Sequence, residues 1–374
     1  MTGIRSALLF LAGFSLTSTG IAASPAKPAR VVFLAGAPSH GPGVHEHRAG
    51  SLLLARALNE ESGLPVSAEV ISGWPEDDRK LDEAAAIVIY DTATRMIGTR
   101  WERVDALARK GTGLLFLHYA VHPKADMGEK YYRPWIGGAF ESGYSVNPFW
   151  IADLTGLPNH PVSFGVTAPV LVHDEFYYNI RFRQNRKEVL DLVTATPTRE
   201  NIVRVNNLWT QAGFEGIGQR QTLMWGVERE GGGRGVGFSG GHFHRNWAVD
   251  GYRKLVLNAI AWVAHLEVPR DGVRSKPVSE DDLNANLDPK GKTGPRLTVP
   301  RAEEFATLER VPIPPVVETK GQKATPKAEK RGPDAASNRQ TSIGVPASSP
   351  SPASAIAVAP APAAPAVPAA MPAP

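Results

Sequence analysis

The chain has 374 residues, of which 42% are hydrophobic and 21% charged, which is typical of a folded globular protein with one large domain or two ordinary ones. The formal net charge is +4, and most of the excess lies after residue 317, so nothing in the body of the chain indicates a nucleic-acid partner or a basic membrane patch. There is no cysteine, which excludes disulfides, thiolate metal sites and thiol nucleophiles.

Residues 1–23 have the pattern of a signal peptide. A basic start precedes an apolar run over residues 7–16, and small residues allow cleavage after Ala22 or Ala23. The apolar run is too short to cross a bilayer comfortably, so we do not expect an integral membrane protein. A first core helix is the less favoured alternative, because the Pro-containing linker 24–29 breaks the chain. The sequence therefore predicts a periplasmic or secreted protein.

The following segments alternate between strand and helix patterns. Compact apolar runs predict buried strands, and amphipathic segments that are closed by glycine predict helices. In chain order the predicted elements are a strand at 30–36, a helix at 47–63, strands at 66–72 and 85–91, a helix at 100–111 and a strand at 113–120. This order indicates an α/β fold whose sheet is at least partly parallel.

Residues 134–220 differ in composition, since aromatic, Pro-rich and Gly-rich pieces are mixed with short strand patterns at 169–182 and 188–196. We interpret them as a β-containing elaboration on one side of the sheet. The α/β pattern then resumes with strands at 222–230 and 234–240 and a helix at 251–266.

The pattern weakens after residue 269. Residues 270–317 read as an irregular C-terminal extension, and residues 318–374 are rich in Pro and Ala. A segment of that composition buries too little apolar surface to fold, so it is predicted to be a disordered tail. The expected organisation is therefore one α/β domain over 30–269 with these two segments behind it.

Most of the histidines follow predicted strands. Parallel α/β sheets bind ligands beyond the carboxyl ends of their strands, in crevices between the loops that leave them. Seven of the ten histidines occupy three such loops: His40, His45 and His47, then His118 and His122, then His242 and His244. Their convergence predicts a functional crevice at this end of the sheet.

His118 ends an apolar strand, at the point where related α/β folds place a catalytic residue on a sharp turn. It is a candidate base or metal ligand. His242 and His244 follow two glycines; an extended backbone would direct both rings to one side, as chelation requires, whereas a tight turn would separate them. We expect His242 or His244 to lie near His118. A divalent metal is a candidate cofactor, with His45, His118, His242 and His244 as its candidate ligands.

The segment HDEFYYN at 173–179 places carboxylates beside tyrosines. If it is extended, Glu175 and Tyr177 share one face, which suits acid–base chemistry or sugar binding; the alternative is an edge strand with a solvated acidic pair. The candidate catalytic residues are His118, Glu175, His242 and His244. The candidate substrate-binding residues are His40, His45, Glu46, Tyr177, Asn246 and Trp247.

Several common catalytic motifs do not occur in the sequence. There is no G-x-S-x-G elbow, no P-loop and no H-E-x-x-H pair. The glycine-rich run at 231–237 precedes its strand instead of following it, which argues against a dinucleotide-binding loop.

Five motifs follow one another over residues 30–269: VVFLAGAPSHGPGVHEHRAG, GTGLLFLHYAVH, WIGGAFESGYSVNP, HDEFYYNIRF and GFSGGHFHRNWAVDGYRKLVLNAIAWVAHLEVP. Together they resemble the ThuA-like (trehalose utilisation) family. The resemblance implies a fold similar to class I glutamine amidotransferases, with a flavodoxin-like, doubly wound and mostly parallel sheet. Those relatives carry a cysteine nucleophile where this chain has His118, so amidotransferase chemistry is excluded.

The resemblance also implies a role in disaccharide catabolism, particularly through 3-keto sugars. We expect an exported protein that acts on a disaccharide or 3-keto-glycoside by His/Glu acid–base chemistry, with or without a metal. Hydrolase, lyase and isomerase reactions remain open. The alternatives are a non-catalytic sugar-binding or scaffold protein and a zinc-dependent hydrolase of other substrates. The expected partner is a small carbohydrate, and the sequence does not indicate the oligomeric state.

Overall fold

The computed structural model describes residues 27–206 and 209–313. The predicted signal peptide at 1–23 and the predicted tail at 318–374 lie outside these residues. Within them, no helix is both long and apolar enough to cross a membrane.

The predicted strands and helices of the α/β part are present, with ends that differ by a few residues. The strands are β1 (Ala29–Ala35), β2 (Val66–Ser72), β3 (Ala86–Tyr90), β4 (Gly113–Leu117), β5 (Gly138–Ala139), β6 (Phe149–Asp153), β7 (Thr155–Gly156), β8 (Leu171–Asp174), β9 (Arg181–Phe182), β10 (Leu190–Ala195), β11 (Ile202–Arg204), β12 (Gln221–Glu228) and β13 (Arg234–Phe238). The α-helices are α1 (His47–Arg56), α2 (Trp101–Arg109), α3 (Ala125–Met127), α4 (Arg133–Ile136), α5 (Gln211–Glu215), α6 (Asp250–Val263), α7 (Glu280–Asn284) and α8 (Ala302–Ala306). Short 3-10 segments cover Asp78–Leu81, His118–Val121, Pro161–Ser163, Arg186–Glu188 and His244–Ala248, and π-helical turns cover Ala57–Glu61 and Gly128–Tyr132.

The main sheet has eight strands in the order β2-β1-β3-β4-β13-β12-β10-β7. The first five are parallel to their neighbours, in the flavodoxin-like order in which the chain winds first to one side of β1 and then to the other. Strands β12, β10 and β7 extend the sheet in antiparallel fashion. The predicted α/β class with a partly parallel sheet is therefore confirmed.

Alternating side chains of the parallel strands enter two separate cores, as the two-residue period of a strand requires. Val31 and Phe33 of β1 belong to the core under α1 and α6, whereas Val32 and Leu34 belong to the core under α2 and α4. Because helices cover both faces, these strands are apolar at nearly every position. Burying each such side chain contributes roughly 1.5–3 kcal/mol before the entropy cost of folding.

The predicted strand at 169–182 is divided. β8 ends at Asp174 and β9 begins at Arg181, because the chain between them turns and Asn179 adopts a left-handed conformation with φ of 56°. β8 pairs with β6, which pairs with β11, in an antiparallel sheet of three strands. This sheet is the β-containing elaboration that the sequence indicated.

Residues 270–313 are more regular than the sequence indicated, since they contain α7 and α8. Val273, Val278 and Leu283 are buried in the same core as α6. The short helices were missed because each has only five residues, less than two turns of the helical period. The domain boundaries stay a prediction.

Candidate functional site

Loops that follow β1, β4, β8 and β13 surround a cavity of about 550 Å³. This is the position at which open parallel sheets bind their ligands. The loops after β1 and β13 are joined by backbone hydrogen bonds, from His45 N to His242 O at 2.9 Å and from His244 N to Gly43 O at 3.0 Å. These bonds bring two of the predicted histidine-containing loops together.

Four buried side chains meet at the floor of this cavity and are called the His/Glu cluster: His45, His118, Glu175 and His242. One nitrogen or oxygen atom of each lies within 4.8 Å of all the others. His45 Nε2 is 3.1 Å from His118 Nε2 and 3.0 Å from His242 Nδ1, and the last two atoms are 3.3 Å apart. Glu175 Oε2 is 3.3 Å from His118 Nε2 and 3.0 Å from His242 Nδ1. The expected proximity of His242 to His118 is observed.

His118 is placed by a strained turn. Its φ of 53° is left-handed, and the chain passes at this residue from β4 into a 3-10 segment. Its Nδ1 lies 2.8 Å from the carbonyl oxygen of Ser239, and a carbonyl only accepts hydrogen bonds. Nδ1 therefore carries the proton, and the lone pair of a neutral His118 ring lies on Nε2, inside the cluster.

Glu175 is held from the opposite side. Its Oε1 accepts hydrogen bonds from Asn147 Nδ2 at 2.9 Å and from Asn206 Nδ2 at 2.6 Å, which leaves Oε2 to face the cluster. Burial raises the pKa of Glu175, but the neighbouring imidazoles of His118 and His242 outweigh this effect and lower it to about 2. The carboxylate is therefore charged at neutral pH.

The cluster brings three ring nitrogens and one carboxylate oxygen together. Burial lowers the pKa of His45 far below its usual range, and the neighbouring imidazoles lower it further, so this ring is neutral. Five close contacts join these four atoms, whereas the Nδ1 proton of His118 is used outside the cluster, on Ser239. Such a set of nitrogen and carboxylate acceptors fits a divalent cation.

Tyr177 lies beside the cluster and lines the cavity. Its hydroxyl is 3.2 Å from His118 Nε2, to which it donates. Burial raises the pKa of Tyr177 well above its usual range, and the Glu175 charge raises it further, so the hydroxyl stays protonated. Glu175 and Tyr177 both line the cavity, although β8 ends at Asp174 and the segment that carries them is not the extended strand on which the prediction depended.

His40 lies on the solvent side of the cluster. Its exposed ring stacks on that of His45, with 3.7 Å between centroids, and lines the cavity. His122 also lines the cavity, but its Nε2 lies 3.2 Å from Ser142 Oγ, and it is not part of the cluster.

Asp174 supports the loop that carries His242. One of its oxygens accepts from Gly241 N at 2.9 Å and from Tyr252 Oη at 2.9 Å, and the other accepts from Phe243 N at 3.1 Å. Asp174 is fully buried, so these bonds fix the backbone on both sides of His242.

The loop after β1 is held by Lys290 from the C-terminal extension. Lys290 Nζ donates to the carbonyl oxygens of Ser39, Gly41 and His45 at 3.0, 3.2 and 3.3 Å, and also to that of Val44. The ammonium is almost completely buried, so the carbonyls of this loop converge on it as they would on a bound cation.

The predicted substrate-binding role of Glu46 requires correction. Its carboxylate accepts from Gly43 N at 2.8 Å and from Asp288 N at 2.7 Å, and it pairs with Lys290 Nζ at 3.1 Å. Both oxygens are thus used in holding the extension against the loop after β1, and the side chain does not line the cavity.

Three further candidates lie apart from the cavity, because the chain turns into a 3-10 segment at His244 instead of staying extended. The His244 ring is buried away from His242 and has no hydrogen-bond partner among the described residues. Asn246 Nδ2 donates to the carbonyl oxygen of His173 at 3.0 Å. Trp247 is fully buried in the core. The geometry does not support their predicted roles as ligand, catalytic or substrate-binding residues.

Sequence reasoning missed Asn147, Asn206 and Lys290. Asn147 lies within the motif WIGGAFESGYSVNP, but nothing in this motif indicates that its side chain forms a hydrogen bond with Glu175. Asn206 and Lys290 lie in irregular segments without a periodic pattern. A buried lysine in an irregular segment leaves no signal in the sequence.

The fold and the site define a flavodoxin-like α/β protein with a His/Glu cluster in a cavity at the carboxyl ends of its strands. A family model described as ThuA, trehalose utilisation, matches residues 31–263, and the chain belongs to this family.

Solved structures with similarity to the chain have low sequence identity. A ThuA-like protein from Bacteroides uniformis ATCC 8492 is 18% identical, with 65% of this chain and 95% of that chain covered and a TM-score of 0.46. A ThuA-like protein from Parabacteroides merdae ATCC 43184 is 17% identical, with coverage of 70% and 100% and a TM-score of 0.47. A glutamine amido transferase from Methylobacillus flagellatus is 9% identical, with coverage of 76% and 87% and a TM-score of 0.32. Comparison with curated proteins gives no significant match.

Proposed function

We propose that the protein is an exported enzyme of carbohydrate catabolism that acts on a disaccharide or 3-keto-glycoside by metal-assisted acid–base chemistry. The observation that carries this proposal is the convergence of His45, His118, Glu175 and His242 on one point at the floor of a cavity. The family description, trehalose utilisation, supports a carbohydrate as the substrate class.

The walls of the cavity suit a sugar. Tyr119 and Phe149 contribute aromatic rings, and Asn147 and Asn206 contribute amides, so apolar faces and hydrogen-bonding groups alternate around the space. The volume of about 550 Å³ lies within the range of small-molecule sites.

The sequence left His118 open as a base or a metal ligand and indicated acid–base chemistry for Glu175, and their convergence suits both to holding a cation. A bound divalent metal would supply Lewis-acid polarisation of a substrate carbonyl. His40 then takes the role of proton acceptor, because its ring is exposed to the cavity directly above His45. Tyr177 keeps its proton, and because a metal bound to His118 Nε2 would take up the lone pair to which the hydroxyl donates, Tyr177 is free to donate to the substrate oxygen at which negative charge develops.

In a 3-keto-glycoside, the carbon between the carbonyl and the anomeric carbon carries an acidic proton. His40 accepts this proton, and the electron pair of the broken C–H bond delocalises onto the carbonyl oxygen. In one outcome the enolate expels the glycosidic oxygen from the anomeric carbon, and this oxygen takes the proton from His40 as a double bond forms between the two carbons, which is a lyase reaction. In the other, a water molecule reprotonates the enolate from the other face while His40 releases its proton to solvent, which is an isomerisation.

The proposal is tested by measuring turnover of a panel of 3-keto-disaccharides by the wild-type protein, His242→Ala and His118→Ala. We expect both variants to lose at least about 100-fold in kcat/KM. His265→Asn is the matched control, since it changes an exposed histidine that does not line the cavity, and its turnover should stay near that of the wild type. Unchanged turnover in both cluster variants would contradict the proposal.

A non-catalytic sugar-binding protein is the second candidate, and the aromatic and amide walls of the cavity favour it. Calorimetry with the same sugars separates the two functions. Tight sugar binding without any product would support the sugar-binding function and contradict the enzymatic function.

Export rests on residues 1–23, which lie outside the described residues. Expression of the full chain followed by fractionation and N-terminal sequencing tests it. A mature protein that begins after Ala22 or Ala23 is expected, whereas an intact N-terminus in the cytoplasm would contradict export.

A further inference from the structure

The separations between the ligand atoms of the His/Glu cluster distinguish one coordination geometry from another. Five of the six separations lie between 3.0 and 3.3 Å. The sixth, between His45 and Glu175, is different: their ligand atoms lie within 4.8 Å, but no nitrogen of His45 comes within 4.0 Å of a Glu175 oxygen. His45 and Glu175 are therefore on opposite sides of the common centre.

These separations convert into angles at a metal. With metal–ligand bonds of about 2.1 Å, separations near 3.0–3.3 Å correspond to angles of about 90–105°, and a separation above 4.0 Å corresponds to about 145° or more. A tetrahedral site would need all six angles near 109° and hence all six separations near 3.4 Å, at the same bond length of about 2.1 Å. The cluster instead has one opposed pair and two ligands at right angles to it.

We propose that the His/Glu cluster binds one six-coordinate divalent metal and leaves two adjacent positions for two neighbouring oxygen atoms of the substrate. His45 and Glu175 occupy opposite positions, and His118 and His242 occupy adjacent ones. His118 and His242 take two of the four positions in the plane that is perpendicular to the line from His45 to Glu175. The two positions that remain in this plane are adjacent and can take two further ligands at roughly right angles, as octahedral coordination requires. Imidazole and carboxylate ligands in this geometry suit Fe²⁺, Mn²⁺, Co²⁺ or Ni²⁺ better than Zn²⁺.

Hydrogen bonds behind the ligands fix their orientation as in protein metal sites. Ser239 accepts the Nδ1 proton of His118, and Asn147 and Asn206 both hold the Glu175 oxygen that points away from the cluster. Partners of this kind set the ring tautomer and carboxylate orientation, and their loss typically weakens metal binding 10- to 100-fold.

The lining of the cavity places one of the two remaining positions. His45, Glu175 and His242 line it, whereas His118 is fully buried and forms its floor. The position opposite His118 therefore points into the cavity. Among the described residues, no further His, Asp or Glu belongs to the cluster.

Two adjacent open positions select a class of substrate, and this step rests on the proposed carbohydrate function. A ligand with oxygens on neighbouring carbons fills both positions at once, and the second bond then costs little additional entropy. The substrate class is thus a sugar with a carbonyl next to a hydroxyl group, the α-hydroxy-ketone unit that a 3-keto-glycoside contains. A simple ketone without the neighbouring hydroxyl would fill only one position.

The coordination is tested with Co²⁺ on the full-length protein after removal of bound metal by a chelator. We expect one Co²⁺ per chain, with the weak visible absorption of six-coordinate Co²⁺. Acetohydroxamate, which binds through two neighbouring oxygens, should change the spectrum at concentrations at which acetamide does not. Dihydroxyacetone, an α-hydroxy-ketone, should compete with acetohydroxamate, whereas acetone should not.

Variants identify the residues responsible. Asn206→Ala should weaken Co²⁺ binding roughly 10- to 100-fold, because Glu175 loses a fixing hydrogen bond, whereas His122→Gln should leave it unchanged. Lack of Co²⁺ binding, the intense absorption of four-coordinate Co²⁺, or equal responses to acetohydroxamate and acetamide would each overturn the proposal.

Failure of this proposal differs from failure of the proposed function. A six-coordinate centre that responds to acetohydroxamate in a protein without sugar turnover would contradict the enzyme function alone. Turnover of 3-keto-disaccharides by the metal-free protein would contradict the metal-assisted chemistry. Turnover with a four-coordinate centre would contradict the coordination proposed for the cluster.

Discussion

His118 and Gly241 both occupy left-handed backbone conformations, and they lie against each other. Gly241 has a φ of 115°, and a Cβ atom added to it would lie 3.3 Å from His118 Cβ. The turn that places His242 therefore depends on the lack of a side chain at Gly241, and the strain at His118 is maintained by the surrounding packing.

We expect Gly241→Ala to lower the free energy of unfolding by about 1–3 kcal/mol and to weaken divalent-metal binding, because both φ and the contact with His118 oppose a methyl group. Chemical denaturation and metal titration measure the two effects. Gly231→Ala is the control, since Gly231 has a φ of 84° but no neighbour within 4 Å of an added Cβ. Equal losses of stability and of metal affinity in Gly241→Ala and Gly231→Ala would mean that backbone strain alone, without the contact with His118, is responsible.

At the residue scale, the sequence predicted His45, His118 and His242 from the rule that ligands gather at strand ends, and Glu175 as a catalytic residue from the alternation of the segment 173–179. It failed for His244, because alternation was extended beyond the point at which the chain turns into a 3-10 segment. Asn246 and Trp247 lie in the same 3-10 segment and also do not line the cavity. It also failed for Glu46, because the partner of this carboxylate lies more than two hundred residues away. Long-range pairing of this kind has no local signal.

The short helix α7 begins with a capping box and connects the extension to α1. Ser279 Oγ accepts from Asp282 N at 3.1 Å, and Asp282 Oδ2 accepts from Ser279 N at 2.9 Å. Asp282 Oδ1 also accepts from Arg56 Nη1 of α1 at 2.6 Å. Hydrogen bonds from Ser279, with Arg56 contributing, lower the pKa of Asp282 to about 2.

This shift predicts a pH dependence. The pKa of Asp282 is lower in the folded protein than its ordinary value of 3.8, so its stabilising contribution is complete well above that value and is lost as pH falls toward about 2. Compared with Asp282→Asn, the wild type should be more stable at pH 7, and the difference should shrink below about pH 4. Urea denaturation at several pH values measures it. Asp281→Asn serves as the control, and a difference for Asp282→Asn that does not vary with pH would contradict the prediction.

At the element scale, the strands and helices on both sides of the parallel sheet were predicted to within a few residues, because their apolar runs are long and end at turns. Helix α1 ends at Arg56, earlier than predicted, since a π-helical turn replaces its last residues. The two-residue strands β5 and β7 were not predicted, because two residues show no period, whereas β9 is the end of the predicted strand at 169–182.

At the scale of the whole molecule, the order of predicted elements was sufficient for the α/β class, because parallel strands need crossover helices. Strands were predicted at 188–196 and 222–230, but not that β12, β10 and β7 extend the main sheet in antiparallel fashion beyond β13, since residue type does not determine which edge an extra strand joins. The packing of residues 270–313 against the domain was missed for the same reason.

Lys290 gives this packing a testable consequence. We expect Lys290→Met to lower the free energy of unfolding by about 3–5 kcal/mol, because it leaves the buried Glu46 carboxylate without its charged partner and the loop carbonyls without a donor. Metal affinity should fall as well, since the same loop carries His45. Denaturation and metal titration measure both effects.

Two variants sharpen this test. Lys292→Met, at an exposed position two residues away, should leave stability and metal affinity close to those of the wild type. Adding Glu46→Gln to Lys290→Met should recover part of the lost stability, because the unpaired buried charge is removed. If the losses in the free energy of unfolding caused by Lys290→Met and by Glu46→Gln simply add in the double variant, the direct pairing of Lys290 with Glu46 is contradicted.

The position of Lys290 also sets an order of events during synthesis. The ribosome completes the segment that matches the family model, residues 31–263, before it adds the lysine that holds the loop of His45. Until then the carbonyls of that loop have no ammonium to converge on, so the loop that carries His45 lacks one of its supports. We therefore expect the His/Glu cluster to reach its full metal affinity only when nearly all of the folded part has been made.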